Sequence, residues 1–150
     1  MNYIIIDSSY FIFYRYFALL NWWKMANPEM ELDNPIDNDI FVEKFKKTFK
    51  ENLLNIPKKL KIKELKFIAA LDCPRKEIWR NKLYDLYKSN RELDDTFLGG
   101  PFFALGIQIL RDLQIKIINL DNLEADDCIA LATYKLEKLD NNPKIYIIAN

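Results

Sequence analysis

The chain of 150 residues is long enough to bury the core of one compact domain. Its 22 basic side chains balance 22 acidic ones, so overall charge gives no indication of a nucleic-acid partner. The absence of histidine excludes Ser-His-Asp catalysis and ordinary zinc sites, so a bound metal must be a hard cation held by oxygen. Cys73 and Cys128 lack metal-site spacing, and we expect them to be reduced thiols of a cytosolic protein.

Four continuous apolar runs have the pattern of buried strands in a parallel sheet. They cover residues 3–7, 65–72, 115–121 and 144–150. Helical patterns occupy residues 9–23, 38–55, 75–91, 102–113 and 125–139. This alternation predicts an α/β fold, with a parallel sheet and helices on both faces.

The second of these helices has an amphipathic pattern. Its apolar face is formed by Ile40, Phe41, Phe45, Phe49 and Leu53. Its lysines lie mostly on the other face, where we expect them to be solvated and without a functional role.

Acidic residues follow the ends of three predicted strands and open the last helix. They are Asp7, Asp72 and Asp121, then Glu124, Asp126 and Asp127 within "LEADD". Because parallel strands share one carboxyl edge, these acids are expected to converge there. Taken singly, such residues are more typical of turns and helix caps. Taken together, they favour a site for Mg²⁺ or Mn²⁺, and two such ions are the usual arrangement for phosphodiester hydrolysis.

The predicted helix after Asp72 interleaves basic and aromatic residues. They are Arg75, Lys76, Trp79, Arg80, Lys82, Tyr84, Tyr87, Lys88 and Arg91. This combination suits a phosphate backbone with exposed bases. Alternatively, Ile78, Leu83 and Leu86 form a core face and the basic side chains are solvated.

Three segments together resemble the N-terminal part of the 5′→3′ exonuclease and flap endonuclease family. They are "IIIDSSYFIFYRYFAL", "ALDCPRKEIWRNKLYDLYKSNR" and "LEADDCIALATYKLEK", in the family's order and spanning nearly the whole chain. The resemblance implies a PIN-like or resolvase-like α/β fold and a metal-dependent nuclease that cuts near 5′ ends. It implies that metal ions are bound, directly or through water, by Asp7, Asp72, Glu124, Asp126 and Asp127. It further implies that Lys88 and Arg91 engage the scissile phosphate, and that Tyr84 and Tyr87 either stack on bases or pack there. The basic and aromatic pattern of the helix adds Arg80 to the predicted nucleic-acid contacts.

The resemblance also implies that residues 1–150 are the N-terminal part of a single nuclease domain, truncated at its C-terminal end. A further acidic pair and a helix-hairpin-helix region would lie beyond Asn150. The expected partners are DNA with 5′ ends, flaps or nicks, with RNA primers as a further candidate. We expect a monomer without a membrane partner, located in the cytoplasm, with the nucleoid or a viral replication site as alternatives.

Two other functions remain open at the level of sequence. The first is a non-catalytic nucleic-acid binding module on the same fold, in which the acids hold at most one structural metal. The second is a phosphatase-like hydrolase with Asp7 as its nucleophile, against which the absence of a glycine-rich phosphate loop argues.

Overall fold

The computed structural model describes residues 1–83 and 97–150. Within this part of the chain, one parallel sheet contains β1 (Asn2–Asp7), β2 (Leu65–Ala70), β3 (Lys116–Ile118) and β4 (Lys144–Ile148). The strand order is β3-β2-β1-β4, and Ile4 of β1 is in register with Phe67 of β2 and Tyr146 of β4. The predicted parallel α/β fold is therefore confirmed, with β2, β3 and β4 ending two or three residues earlier than expected.

The helices connect these strands and cover both faces of the sheet. They are α1 (Ser8–Ala26), α2 (Asp39–Leu60), α3 (Arg80–Leu83), α4 (Gly100–Asp112) and α5 (Ala125–Leu139). Helices α1, α2 and α4 contribute to the core on one face, whereas α5 packs on the other. The bounds of α5 agree with the prediction, and α1, α2 and α4 each extend beyond the predicted range at one end or both.

Strand β1 lies at the centre of the sheet, which explains its uninterrupted apolar sequence. Ile4 and Ile6 belong to the core beneath α1, α2 and α4, while Tyr3 and Ile5 belong to the core beneath α5. Alternate side chains of a strand point to opposite faces, so a strand covered on both sides needs apolar residues at every position.

Helix α2 buries the apolar face that its spacing predicts, with one exception. Phe41, Phe45, Phe49 and Leu53 are completely buried, whereas Ile40 is 70% exposed. Ile40 precedes Phe41 by one residue, a rotation of about 100° around the helix axis that carries it out of the core. Its assignment to the apolar face was wrong.

The predicted helix at 75–91 does not begin as expected. Residues Arg75–Glu77 form a short 3-10 turn, Ile78 is extended, and α-helix begins only at Arg80. The backbone N–H of Trp79 donates to the carbonyl oxygen of Asn122 at 2.8 Å, and that of Cys73 donates to Leu123 at 2.9 Å. The Trp79 bond to the segment before α5 takes the place of the bond to the Arg75 carbonyl that a continuous helix would make. The predicted range from residue 84 onward lies outside the described residues.

In the described part of the chain, no helix is both long enough and apolar enough to cross a bilayer.

Candidate active site

The carboxyl edge of the sheet carries the acidic residues that the sequence singles out. Asp7 ends β1, and Asp72 follows the end of the adjacent strand β2 by two residues. Asp126 lies in the first turn of α5. The chain winds from β1 through β2 to β3 and then crosses to β4 on the other side of β1. This edge is therefore next to the topological switch point, where α/β folds bind their ligands.

Asp72 connects the first turns of two helices. One of its carboxylate oxygens accepts a hydrogen bond from the backbone N–H of Ala125 at 2.7 Å. The other accepts from the hydroxyl of Ser9 at 3.1 Å. Ser9 was not identified as a site residue from the sequence, although its position two residues after the strand-end Asp7 places it at the same edge. The carboxylate of Asp72 thus holds α1 and α5 together at the mouth of the site.

Asp7 caps helix α1 and is also close to other negative charges. Its side chain accepts a hydrogen bond from the backbone N–H of Tyr10 at 3.2 Å. Burial raises the pKa of Asp7, and the nearby Asp72 and Asp126 carboxylates raise it further, against the lowering effect of the Tyr10 N–H. Asp7 therefore lies close to two other acids at this edge, and we call Asp7, Asp72 and Asp126 the acidic triplet.

Glu124 and Asp127 are held by Arg80. The Arg80 guanidinium contacts Glu124 Oε2 at 2.6 Å and Asp127 Oδ1 at 2.7 Å, and its Nη1 also reaches Asp127 Oδ2 at 2.9 Å. The indole N–H of Trp79 donates to Asp127 at 3.2 Å. These contacts, with the Arg80 hydrogen bonds as the largest effect, lower the pKa of Asp127. Glu124 is only 4% exposed, so Arg80 supplies the counter-charge that its buried carboxylate requires.

The predicted site residues are thus divided into separate groups. The acidic triplet lies along the edge, Glu124 and Asp127 are paired with Arg80, and Asp121 is exposed in the turn after β3. Arg80, predicted to contact nucleic acid, lies against these acids. The predictions for Lys88, Arg91, Tyr84 and Tyr87 fall outside the described residues.

The donor chemistry at this edge fits a hard divalent cation. Carboxylate oxygens and a serine hydroxyl are available, and these are the ligand types that Mg²⁺ and Mn²⁺ prefer. A cation would also relieve the repulsion within the acidic triplet. Across residues 1–83 and 97–150, however, no three acidic or cysteine side chains are already grouped closely enough to enclose a metal.

The family follows from a comparison of the whole chain with known domains. A family model described as the 5′-3′ exonuclease N-terminal resolvase-like domain matches residues 2–150. The chain belongs to this 5′-3′ exonuclease family. The family resemblance of the three sequence segments is therefore confirmed.

Curated members of the 5′-3′ exonuclease family include two similar proteins from Buchnera aphidicola. The 5′-3′ exonuclease of the Acyrthosiphon pisum subspecies is 31% identical over 147 residues, which cover 98% of this chain and 45% of the relative. That of the Schizaphis graminum subspecies is 33% identical over 135 residues, covering 90% of this chain and 42% of the relative. The chain therefore spans a little under half the length of the curated relatives it matches.

Solved structures with the same fold come from bacteriophage T5. The T5 5′-exonuclease with bound zinc ions has a TM-score of 0.58 at 13% identity, with 97% of this chain and 48% of that chain covered. A T5 flap endonuclease in a pseudo-enzyme-product complex with DNA and metal ions has a TM-score of 0.50 at 12% identity, with the same coverage. At this level of identity, the similarity shows the fold alone.

Proposed function

We propose that this chain is the N-terminal part of a metal-dependent nuclease that hydrolyses DNA phosphodiester bonds near 5′ ends, including flaps. Membership of the 5′-3′ exonuclease family supports this proposal. The single observation that carries it is the acidic triplet at the carboxyl edge of the sheet, where burial and then the neighbouring Asp72 and Asp126 carboxylates raise the pKa of Asp7. Groups at functional sites often have perturbed pKa values, because catalysis needs charges that folding alone would avoid.

The proposed metals are Mg²⁺ or Mn²⁺, in a two-ion arrangement. Asp7, Asp72 and Asp126 would hold them at the carboxyl edge, and Glu124 and Asp127 would contribute directly or through water. When bound, two divalent ions stabilise the charge on the attacking and leaving oxygens of a phosphodiester. The T5 relatives described with bound zinc or metal ions support a divalent-metal site in this fold.

The chain's own cations are proposed to have two different roles. Arg80 would orient Glu124 and Asp127 and balance their negative charge, since it forms ion pairs with both carboxylates. Lys88 and Arg91 would engage the scissile phosphate, with Tyr84 and Tyr87 next to the strand, as the family resemblance implies. The T5 flap endonuclease complex with DNA supports a DNA substrate for this fold.

The experiment that tests the proposal compares Asp72→Asn with Asp121→Asn in the intact protein. Both changes remove one carboxylate near the same sheet edge, but only Asp72 accepts hydrogen bonds from α1 and α5. We expect Asp72→Asn to lower Mg²⁺-dependent cleavage of a 5′-labelled flap DNA by roughly 100-fold or more. Asp121→Asn should retain activity. Circular dichroism would confirm that both variants are folded, and equal activity of the two would contradict the proposal.

A further inference from the structure

The surface between α1 and α2 contains a continuous groove that begins near the acidic edge of the sheet and extends away from it. Two adjoining depressions of about 250 Å³ each share Arg15 and Asn52 in their walls. One continues along Trp22, Lys44 and Thr48, and we call it the upper half of the groove. The lower half is lined by Tyr10, Tyr14, Lys59 and Ile148, among others.

The groove starts beside the acidic triplet. Tyr10, at its lower end, is the residue whose backbone N–H donates to the carboxylate of Asp7. Ile148, also at this end, is the last residue of β4 and therefore lies at the carboxyl edge of the sheet. From Tyr10 to Trp22, α1 rises about 18 Å, which is long enough to contact several nucleotides of a strand. The groove therefore leads from the proposed site along the helix pair.

The charge of this helix pair is strongly positive, although the whole chain is neutral. Helix α1 carries Arg15 and Lys24 without an acidic residue, and α2 carries six lysines against three acidic residues. Among the described residues, no carboxylate lies within ion-pair distance of Arg15, Lys44 or Lys59. Three cations without acidic partners in one groove are suited to a polyanion.

Aromatic rings alternate with these cations. The Arg15 guanidinium lies 4.7 Å from the centroid of the Tyr14 ring, and the Lys44 ammonium lies 4.3 Å from that of Trp22. Tyr14 and Trp22 remain 53% and 43% exposed. Cations beside exposed rings are the combination by which proteins bind single strands, since phosphates pair with the cations and bases stack on the rings.

We propose that the α1–α2 groove is a binding track for a single-stranded segment of nucleic acid that leads to or from the acidic edge. The identity of this strand as DNA rests on the proposed function. The earlier expectation that the α2 lysines are solvated without a role is replaced, for Lys44 and Lys59, by a role in phosphate binding. Thr48 and Asn52 provide polar groups in the same wall.

The first test compares two double variants of α2 in the intact protein. The double substitution of Lys44→Ala and Lys59→Ala, which we call the groove variant, removes two cations of the groove. Lys47→Ala with Lys50→Ala removes two exposed lysines of the same helix that do not line the groove and, among the described residues, have no carboxylate within ion-pair distance, and it is the matched control. Binding of a fluorescein-labelled oligothymidylate is measured by anisotropy in EDTA, which prevents cleavage, over a range of salt concentrations.

The expected result concerns both affinity and its salt dependence. The groove variant should bind about tenfold more weakly, and the slope of log K against log salt should become shallower by about 1.4, because each phosphate contact on a single strand contributes about 0.7. The control variant should retain the wild-type slope. Equal effects of the two double variants, or no effect of either, would overturn the inference.

A second test examines whether bases stack on the aromatic rings of the groove. Tyr14→Ala should weaken oligothymidylate binding roughly fivefold or more without altering the salt slope, because stacking involves no phosphate. Its control is Tyr134→Ala on α5, since Tyr134 is 56% exposed and has Lys138 above its ring at 4.2 Å. If both tyrosine variants bind equally, base stacking in the groove is refuted.

Cleavage assays of the same variants separate this inference from the proposed function. If the protein cleaves flap DNA in Mg²⁺ but the groove variant binds and cleaves like its control, the groove inference fails and the nuclease function stands. If wild-type protein does not cleave, but the groove variant alone loses oligothymidylate binding, the nuclease function fails and the groove inference stands.

Discussion

Asp7 combines two roles whose effects on stability are opposed. As the N-cap of α1 it accepts a backbone hydrogen bond from Tyr10, which stabilises the helix. As a partly buried acid beside Asp72 and Asp126, it has a raised pKa, so its ionised form destabilises the fold. If capping α1 were the only role of this position, an uncharged cap such as asparagine would serve without the unfavourable charge. The presence of aspartate therefore fits a role in binding a cation.

We expect Asp7→Asn to raise the melting temperature by a few degrees at pH 7 while it abolishes metal-dependent cleavage. Asparagine caps helices about as well as aspartate and carries no charge. A carboxyl pKa that is higher in the folded state means that the folded protein binds the proton more tightly than the unfolded chain. The penalty therefore develops as pH rises above the usual carboxyl value of 3.8, and it is absent below that value.

Thermal unfolding at pH 7 and at acidic pH measures the effect of Asp7→Asn. Asp39→Asn is the control, because it removes an exposed carboxylate from the first turn of α2. Loss of a favourable helix-dipole interaction should leave that control unchanged or slightly less stable. A lower melting temperature for Asp7→Asn than for Asp39→Asn at pH 7 would contradict the interpretation.

At the scale of elements, the close packing of α1 against α4 depends on a glycine. A Cβ atom at Gly106 of α4 would lie 2.6 Å from Cγ1 and 2.8 Å from Cδ1 of Ile12 in α1. Ile12 is completely buried and β-branched, so it has little freedom to move aside. Glycine at this position costs helix propensity, but it permits the two helices to approach.

We expect Gly106→Ala to lower the free energy of unfolding by roughly 1–2 kcal/mol, since overpacking outweighs the gain in helix propensity. Gly100→Ala in the first turn of the same helix is the control for a glycine outside the helix contact, because a Cβ atom there meets nothing within 4 Å apart from its neighbours in the chain. Urea unfolding of both variants measures the difference. Stabilisation by both substitutions would show that the helix contact is less tight than the structure indicates.

At the scale of the whole molecule, electrical neutrality conceals a separation of charge. Basic residues predominate on α1 and α2, whereas acidic residues gather at the carboxyl edge of the sheet. The helix pair is expected to attract anions and the carboxyl edge to attract cations. Such electrostatic attraction extends over about a Debye length, ~8 Å at physiological salt. A cation at the acidic edge and a polyanion along the helix pair are therefore compatible on one small protein.

Divalent cations should consequently stabilise the folded protein. A ligand that binds only the folded state at 100 times its Kd adds about 2.7 kcal/mol to the free energy of unfolding. We expect Mg²⁺ to raise the melting temperature of the wild-type protein and to have a much smaller effect on Asp72→Asn. Sodium chloride at matched ionic strength controls for general screening. An equal rise in both proteins would exclude specific binding at the acidic triplet.

The sequence by itself determined those features that depend on local pattern. The run Ile4, Ile5 and Ile6 predicted a strand covered on both faces, and the spacing of Phe41, Phe45 and Phe49 predicted a helix with one buried face. Both predictions are confirmed, because burial imposes a periodicity that neighbouring residues display directly. Asp7 and Asp72 could be placed at one edge for a related reason, since parallel strands all end on the same side.

Only the tertiary structure decided which groups are partners. The segment 75–79 has a helical pattern, yet the bond from Trp79 to Asn122 keeps it from forming a continuous helix. Arg80 contacts Glu124 and Asp127, which lie 44 and 47 positions away, and no local pattern contains such a pairing. The groove between α1 and α2 likewise exists only once the helices have packed. Side-chain periodicity reports the environment of a residue, whereas the identity of its partner depends on how distant segments come together.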